Sequence, residues 1–186
     1  MVVDEPGVTT RLSSAADRLQ KQEVAVLIAI QSLTSAPATR RGAVLLSHVG
    51  EHAVTWTALG LLGAGLDPPQ RRLWLRATAT VLGAHALSIV AKRGVRRHRP
   101  SDPRVQVHVT TPSDWSFPSS HAASTTAAAM AYSTLLGRRY PLLLIPVMLT
   151  SRVALGVHYP SDVLAGSLVG AALARRVAPA RLVSPS

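Results

Sequence analysis

The sequence predicts an all-α protein: a membrane-embedded helical bundle of about five spanning helices plus an N-terminal amphipathic helix. Three observations carry this expectation. Hydrophobic residues make up 47% of the 186 residues, but aromatics only 4%, with a single Phe. Core volume must therefore come from closely packed Ala and Leu, as in membrane helix pairs. The basic residues, all but two of the 20 being Arg, fall in short clusters between apolar stretches: Arg40-Arg41, Arg71-Arg72, Arg93 to Arg99, Arg138-Arg139 and Arg175-Arg176. Positive charge sits this way at the ends of membrane helices, or around an anionic ligand. No strand-period alternation is sustained, and no internal repeat is visible.

The same composition excludes several classes. A net charge of +11 raises nucleic-acid binding, but a nucleic-acid reader shows one basic face interleaved with aromatics, so no nucleic-acid partner is expected. With no cysteine there is no disulfide framework, thiolate zinc site or cysteine nucleophile. The first 20 residues, with Asp4, Glu5, Asp17 and Arg18, lack the basic start and apolar run of a cleavable signal peptide.

Taken in order, residues 1–12 read as a disordered tail. Ser13 or Ser14 can cap a helix whose apolar positions recur at Ala16, Leu19, Val24, Leu27 and Ile28. This amphipathic helix, residues 13–36, ends before Pro37. Its continuous apolar part, Val24 to Ile30, is too short to cross a bilayer, so an interfacial or packed helix is the first reading and a span the second. Five apolar segments follow, near Ala43–Gly65, Leu73–Ala91, Ala122–Gly137, Pro141–Val157 and Val163–Ala174, making one membrane-embedded domain over residues 43–178. Several are shorter than the ~20 residues of a perpendicular span, and the first carries His48, Glu51 and His52. Punctuation strengthens the reading: Leu66-Asp67-Pro68-Pro69 and Gly137-Arg138-Arg139 separate segments, and Gly166-Ser-Leu-Val-Gly170 is a small-xxx-small face. The bland alternative is a soluble helical bundle with an alanine-rich core. One long polar connection, Lys92 to Ser119, holds Pro100, Pro103, Pro112 and Pro118. A loop of that length in a compact helical domain is usually functional.

Three clusters carry chemistry. In Lys92-Arg-Gly-Val-Arg-Arg-His-Arg99-Pro100, a continuing helix would put Lys92 and Arg99 on one face; a basic stop after a membrane helix is the plain alternative. In Phe117-Pro118-Ser119-Ser120-His121, a serine N-cap opens a helix whose free N–H groups suit an anion, with a histidine able to give a proton to a departing oxygen. Simple capping beside a surface histidine is the alternative. In Ser151-Arg152-Val-Ala-Leu-Gly-Val-His158-Tyr159-Pro160-Ser161-Asp162, an arginine lies inside an apolar segment, where an unpaired charge costs about 3 kcal/mol or more, and so asks for an anionic partner. An aspartate just past the break can hold one ring nitrogen of His158 and free the other. A helix-end histidine with a capping aspartate is the alternative.

In this order and spacing the three stretches resemble the signature motifs of the type 2 phosphatidic acid phosphatase superfamily: Lys-x6-Arg-Pro, Pro-Ser-Gly-His and Ser-Arg-x5-His-x3-Asp. Lys92 with Arg99-Pro100 matches the first; Ser151, Arg152, His158 and Asp162 match the third. The second matches at Pro118, Ser119 and His121, with Ser120 in place of the usual Gly. The resemblance covers roughly Leu73 to Gly170. It implies that His158 attacks phosphorus to form a phosphohistidine, that Asp162 sets its tautomer, and that His121 protonates the leaving oxygen. It further implies that Lys92, Arg99, Ser119, Ser120 and Arg152 hold the phosphoryl group, with no metal and no cofactor. The residues agree, since no carboxylate cluster suited to a metal appears. His85 and His48 read as packing or interfacial residues, His98 and His108 as entry-lining ones, and Trp115 and Phe117 as headgroup-level anchors.

The partners implied are a lipid-linked phosphate and the bilayer; nothing fixes an oligomeric state. The chemical candidates are polyprenyl phosphates or pyrophosphates, phosphatidic acid and phosphatidylglycerol phosphate. The compact chain with Phe-Pro-Ser-Ser-His resembles members acting on a lipid-linked sugar phosphate in cell-wall arabinan precursor synthesis, although no residue is identified as reading the sugar. With the three motifs on one side, Arg71, Arg72, Arg138, Arg139, Arg175, Arg176 and Arg181 fall on the other. This points to a plasma-membrane protein with an extracytoplasmic site, against which Arg40, Arg41, Arg93, Arg96 and Arg97 count. Within the fold a soluble acid phosphatase or vanadate-dependent haloperoxidase is the competing reading. Outside enzymes it is a noncatalytic lipid-binding membrane protein.

Overall fold

The computed structural model describes residues 6–49 and 53–177, with side chains placed over 17–48 and 53–176. Among the described residues there is no strand, and seven α-helices follow in order: α1 Pro6–Leu33, α2 Pro37–Val49, α3 Val54–Leu66, α4 Arg71–Val95, α5 Ser120–Leu136, α6 Leu144–Ala154 and α7 Pro160–Val177. Short 3-10 turns at Pro68–Gln70 and Tyr140–Leu143 lead into α4 and α6. The stretch expected as a tail splits: Met1 to Glu5 lie outside the described residues, and from Pro6 the chain belongs to α1. The expected Ala43–Gly65 segment is two helices, with Ala53 at φ 57° heading the second. Its polar middle, His48, Gly50, Glu51 and His52, interrupts the apolar run that one long helix would need; Gly50, Glu51 and His52 lie outside the described residues.

The bundle is organised around α5, which packs against α7, α4, α6 and α3. Every residue from Ala122 to Ala129 is buried, as are Ala131 and Tyr132. A helix of Ala, Ser and Thr can be surrounded because its thin side chains let neighbouring backbones come close. The closest approach is at α7. A methyl group on Gly166 would lie 2.3 Å from the Ser119 carbonyl oxygen, and one on Gly170 2.3 Å from that of Ala123. Large side chains fill the other flank, where Trp56, Trp74, Val81 and Met148 pack with Ala127 and Tyr132. Their polar atoms are paired: Trp56 Nε1 donates to Thr125 Oγ1 at 3.1 Å and Tyr132 donates to the Trp56 carbonyl at 2.6 Å.

The outer faces are apolar. Leu59, Leu61, Leu62 and Leu66 on α3, Leu75, Leu82, Leu87 and Val90 on α4, and Leu164 and Leu168 on α7 are all exposed. Exposed apolar area on this scale marks contact with something other than water. The stretch Pro68–Val95 is long and apolar enough to cross a membrane, and less than half of it is buried in the protein; Val54–Leu66 and Tyr140–Ala154 are shorter apolar helices.

α4, α5, α6 and α7 alternate in direction, with α5 and α7 running parallel, so the C-terminus of α4, the N-terminus of α5, the C-terminus of α6 and the N-terminus of α7 meet at one end. The ends of these helices carrying Arg71, Arg72, Arg138, Arg139, Arg175 and Arg176 lie at the other; Arg181 lies outside the described residues. The connection from Arg96 to Ser119 folds over the first end. Trp115 pairs with His98 as an isolated bridge, and Ser116 N donates to the Arg97 carbonyl at 2.7 Å. Gln31 of α1 pins the same connection, donating to the Gln106 carbonyl at 2.6 Å and accepting from the Gln106 amide at 3.1 Å.

Candidate active site

The connection brings the first cluster together by a route other than helical register. α4 stops at Val95, where Arg96 takes a left-handed conformation (φ 52°) and its N–H closes on the Lys92 carbonyl. Lys92 and Arg99 therefore do not share a helix face; the chain turns back and places both on the wall of one cavity. Lys92 Nζ donates to the Trp115 and Ser116 carbonyls at 3.1 and 3.0 Å. Arg99 donates through Nε to the Ser113 carbonyl at 2.9 Å and through Nη1 to the Val157 carbonyl at 2.6 Å.

Arg152, in the last turn of α6, is buried on the same wall and donates through Nη1 to Ser47 Oγ at 2.6 Å. His121, in the first turn of α5, faces the same α2 residue: its Nε2 lies 3.0 Å from the Ser47 carbonyl oxygen, which only accepts. Nε2 thus carries a proton and Nδ1 is left for exchange. Ser120 opens α5 with ordinary helical backbone, since the only non-glycine residues with positive φ among those described are Ala53 and Arg96. A serine therefore fits where the motif has Gly. Ser119 sits differently from expectation. It is fully buried, accepts from Ala122 N at 3.4 Å as the α5 N-cap, and gives its own N–H to the Asp162 carbonyl at 2.9 Å. It shapes the helix start behind the cavity wall and does not face the cavity.

His158 lies in the break between α6 and α7, where Gly156 (φ 74°) turns the chain so tightly that a methyl there would meet the Gln106 carbonyl at 2.3 Å. The imidazole lies between two groups. Nδ1 faces Asp162 Oδ2 at 3.6 Å, one turn further on, and Nε2 faces Arg99 Nη1 at 3.4 Å. Burial first, then the positive charges of Arg152, Arg99 and Lys92, hold His158 well below its usual pKa, so the ring is neutral. A guanidinium opposite Nε2 leaves that nitrogen as the lone-pair side. Burial also draws Arg99 down to about 10, still a cation at neutral pH.

Asp162 is sealed from solvent. Oδ2 accepts from Tyr159 N at 2.8 Å, and Oδ1 accepts from Arg97 Nη1 at 2.9 Å. Arg97 also pairs with Glu23 of α1 and stacks over the Tyr159 ring at 4.0 Å. Nothing in the motif spacing singles out Arg97, Glu23 or Ser47; the first stands among other arginines, and the other two in ordinary helical runs.

The cavity these residues border has a volume of about 670 Å³, much larger than a phosphate requires. Lys92, Arg99, Ser120, His121, Arg152 and His158 line one part. The rest is lined by Ser47, His48, His85, Ile89, Arg93, His108, Trp115 and the Val109–Ser113 strip. His48, His85 and His108 thus border the cavity, while His98 stacks on Trp115 with ring centres 4.7 Å apart. Among the described residues no three His, Asp or Glu side chains are grouped so as to hold a metal ion.

Residues 73–182 match the PAP2 superfamily, more than half of the chain. The chain belongs to that superfamily. It is 51% identical over 160 residues to the decaprenylphosphoryl-5-phosphoribose phosphatase of Mycobacterium tuberculosis, covering 84% of this chain and 89% of the relative. The protein of that name from Mycolicibacterium smegmatis is 51% identical over 145 residues, covering 77% and 81%. The PAP2 fold is also seen in a solved transmembrane phosphatidylglycerolphosphate phosphatase from Bacillus subtilis, with a TM-score of 0.69 over 86% of this chain and 84% of that one, at 20% identity. All three clusters lie within the matched residues, and α1 lies wholly outside them.

Proposed function

We propose that this protein is a membrane phosphatase that cleaves the 5-phosphate from a polyprenylphosphoryl-5-phosphoribose through a phosphohistidine on His158. The observation that carries this reading is the placement of a neutral imidazole on the cavity wall, with Asp162 behind Nδ1 and Arg99 in front of Nε2. Nε2 of His158 attacks phosphorus in line with the ester oxygen, and His121, entering the step as an imidazolium whose Nε2–H stays on the Ser47 carbonyl, gives its Nδ1 proton to that oxygen as the P–O bond breaks. His121 then takes a proton from water, whose oxygen attacks the phosphohistidine and releases inorganic phosphate. Lys92, Arg99, Arg152 and the N–H groups at the start of α5 offset the charge on the phosphoryl oxygens. This cationic set supplies without a metal what magnesium supplies elsewhere.

The substrate is inferred from the two mycobacterial relatives and from the cavity, whose hydroxyl and imidazole lining beyond the cations suits a pentose. The exposed apolar faces of α3, α4 and α7 support embedding in the bilayer, with about five helices crossing it and α1 outside the set. The arginines at the end opposite the site favour a plasma-membrane orientation with the site outward.

Phosphate release from farnesylphosphoryl-5-phosphoribose, phosphatidic acid, phosphatidylglycerol phosphate and undecaprenyl pyrophosphate tests the reading. The sugar phosphate is expected to turn over fastest, with activity unchanged in excess chelator and abolished in His158→Ala. Preference for another lipid would move the substrate assignment, and activity surviving His158→Ala would remove the nucleophile. Binding without turnover of any of them would favour a noncatalytic lipid-binding role.

A further inference from the structure

Behind the cavity, α1 reaches Asp162, the carboxylate that faces His158. Glu23 is buried in the middle of α1, with 6% of its surface exposed. Its Oε1 accepts from Ser161 N, in the first turn of α7, at 2.9 Å, and its Oε2 accepts from Arg97 Nη2. The other arm of Arg97 donates to Ser161 Oγ at 2.7 Å and to Asp162 Oδ1 at 2.9 Å. A buried carboxylate is retained only when paired, and here it is paired with the group that pairs with Asp162.

The division of the fork matters chemically. A guanidinium facing a lone carboxylate tends to engage both oxygens at once. If Arg97 did so with Asp162, Oδ2 would be drawn from Tyr159 N and from the His158 ring. Glu23 occupies Nη2, so Arg97 meets Asp162 through Oδ1 alone and Oδ2 stays beside Nδ1 of His158. We infer that Glu23 is a positioning residue for the phosphatase reaction: by splitting the Arg97 fork it fixes Asp162, and through it His158. The N-terminal helix, outside the PAP2 match, is thereby part of the machinery that orients the nucleophile. The inference rests on the phosphatase reading above.

Its test is a double-mutant cycle on the full-length protein in detergent, with farnesylphosphoryl-5-phosphoribose as substrate. Glu23→Gln keeps size and one acceptor but loses the ion pair. It is expected to lower kcat about tenfold to a hundredfold, as loss of an orienting outer partner does elsewhere, with KM changed less than about threefold. Glu23→Asp should recover part of kcat. In an Asp162→Asn background the Glu23→Gln effect should vanish, because the group it positions is gone. Arg97→Lys, which keeps the charge but cannot fork, should reproduce the loss and the same non-additivity, and it carries the cycle if Glu23→Gln does not purify as a monodisperse species. Wild-type kcat in Glu23→Gln and Arg97→Lys, or losses equally large with and without Asp162, would overturn the inference while leaving His158 as nucleophile. A wild-type protein that releases no phosphate would instead overturn the reading on which it rests.

Discussion

Two neighbouring arginines of the same connection show opposite uses of one side chain. Arg97 is divided between two carboxylates, Glu23 and Asp162, and lies over an aromatic ring. Arg99, two residues on, hydrogen-bonds carbonyl oxygens and faces an imidazole. Burial opposes the charge of both, but in Arg97 the hydrogen bonds and charge of Glu23 and Asp162 outweigh it and raise its pKa, whereas Arg99 falls to about 10. A cation neutralised by carboxylates organises the fold around it. A cation held by dipoles keeps its charge for an incoming anion. On the proposed reaction, the wall behind His158 is scaffold and the wall in front is binding surface.

The sharpest way to break this contrast is to compare losses across the two walls. After His158→Ala, the largest loss belongs to His121. His121→Ala should lower kcat by about 10²–10⁴ on an alkyl phosphate, the usual range for a general acid. On p-nitrophenyl phosphate, whose leaving group needs no proton, the loss should shrink to roughly tenfold or less. Equal losses on both substrates would remove His121 from the leaving-group step.

Next comes the front wall. Arg152→Gln should lower kcat/KM by about 10²–10³ and also change its pH dependence. The sign follows from what depresses His158: burial remains, but the neighbouring positive charge that acts on it most strongly is removed, so the free-enzyme pKa rises toward its ordinary value. The acid limb of kcat/KM should move to higher pH, making the defect larger at pH 6 than at pH 8. An unshifted limb would show that the charge of Arg152 does not act on His158. Glu23→Gln, on the back wall, is expected to be milder and to act on kcat.

The smallest effect is on stability alone. Gly170→Ala places a methyl against the α5 backbone at Ala123 and should cost about 1–3 kcal/mol, the range for overpacking, read as a lower Tm in detergent. Gly65→Ala, with open space around it, is the control that should leave Tm unchanged or raise it.

The sequence made the proposed catalytic set legible and left its supports hidden, for a physical reason. Lys92, Arg99, Ser120, His121, Arg152, His158 and Asp162 sit at fixed spacings because local chain geometry places them, and spacing can be read. Glu23, Arg97 and Ser47 reach the site from three different elements, and their pairing exists only once α1 and α2 have packed. A Pro-Ser start suits a cap and an anion site equally, and in the structure Ser119 caps α5. The helix order was clear from basic pairs and prolines, since charge and missing N–H groups stop helices locally. The split of the first apolar segment at its polar middle was not, because hydropathy there is too mixed to show a boundary. Nor could sequence show that α5 is surrounded. Ala-rich helices look alike at the centre and at the edge of a bundle, and only the contact of Gly166 and Gly170 with the α5 backbone separates the two.

The central claim is that phosphate passes through Nε2 of His158. The direct measurement is rapid acid-free quenching of the wild-type protein with the lipid sugar phosphate, followed by peptide mass spectrometry under alkaline conditions, where phosphohistidine survives. A phosphate on His158 that forms within one turnover, decays as inorganic phosphate appears, and is missing from His158→Ala is the expected result. Full turnover with no phosphorylated His158, or with the phosphate on another residue, would contradict it.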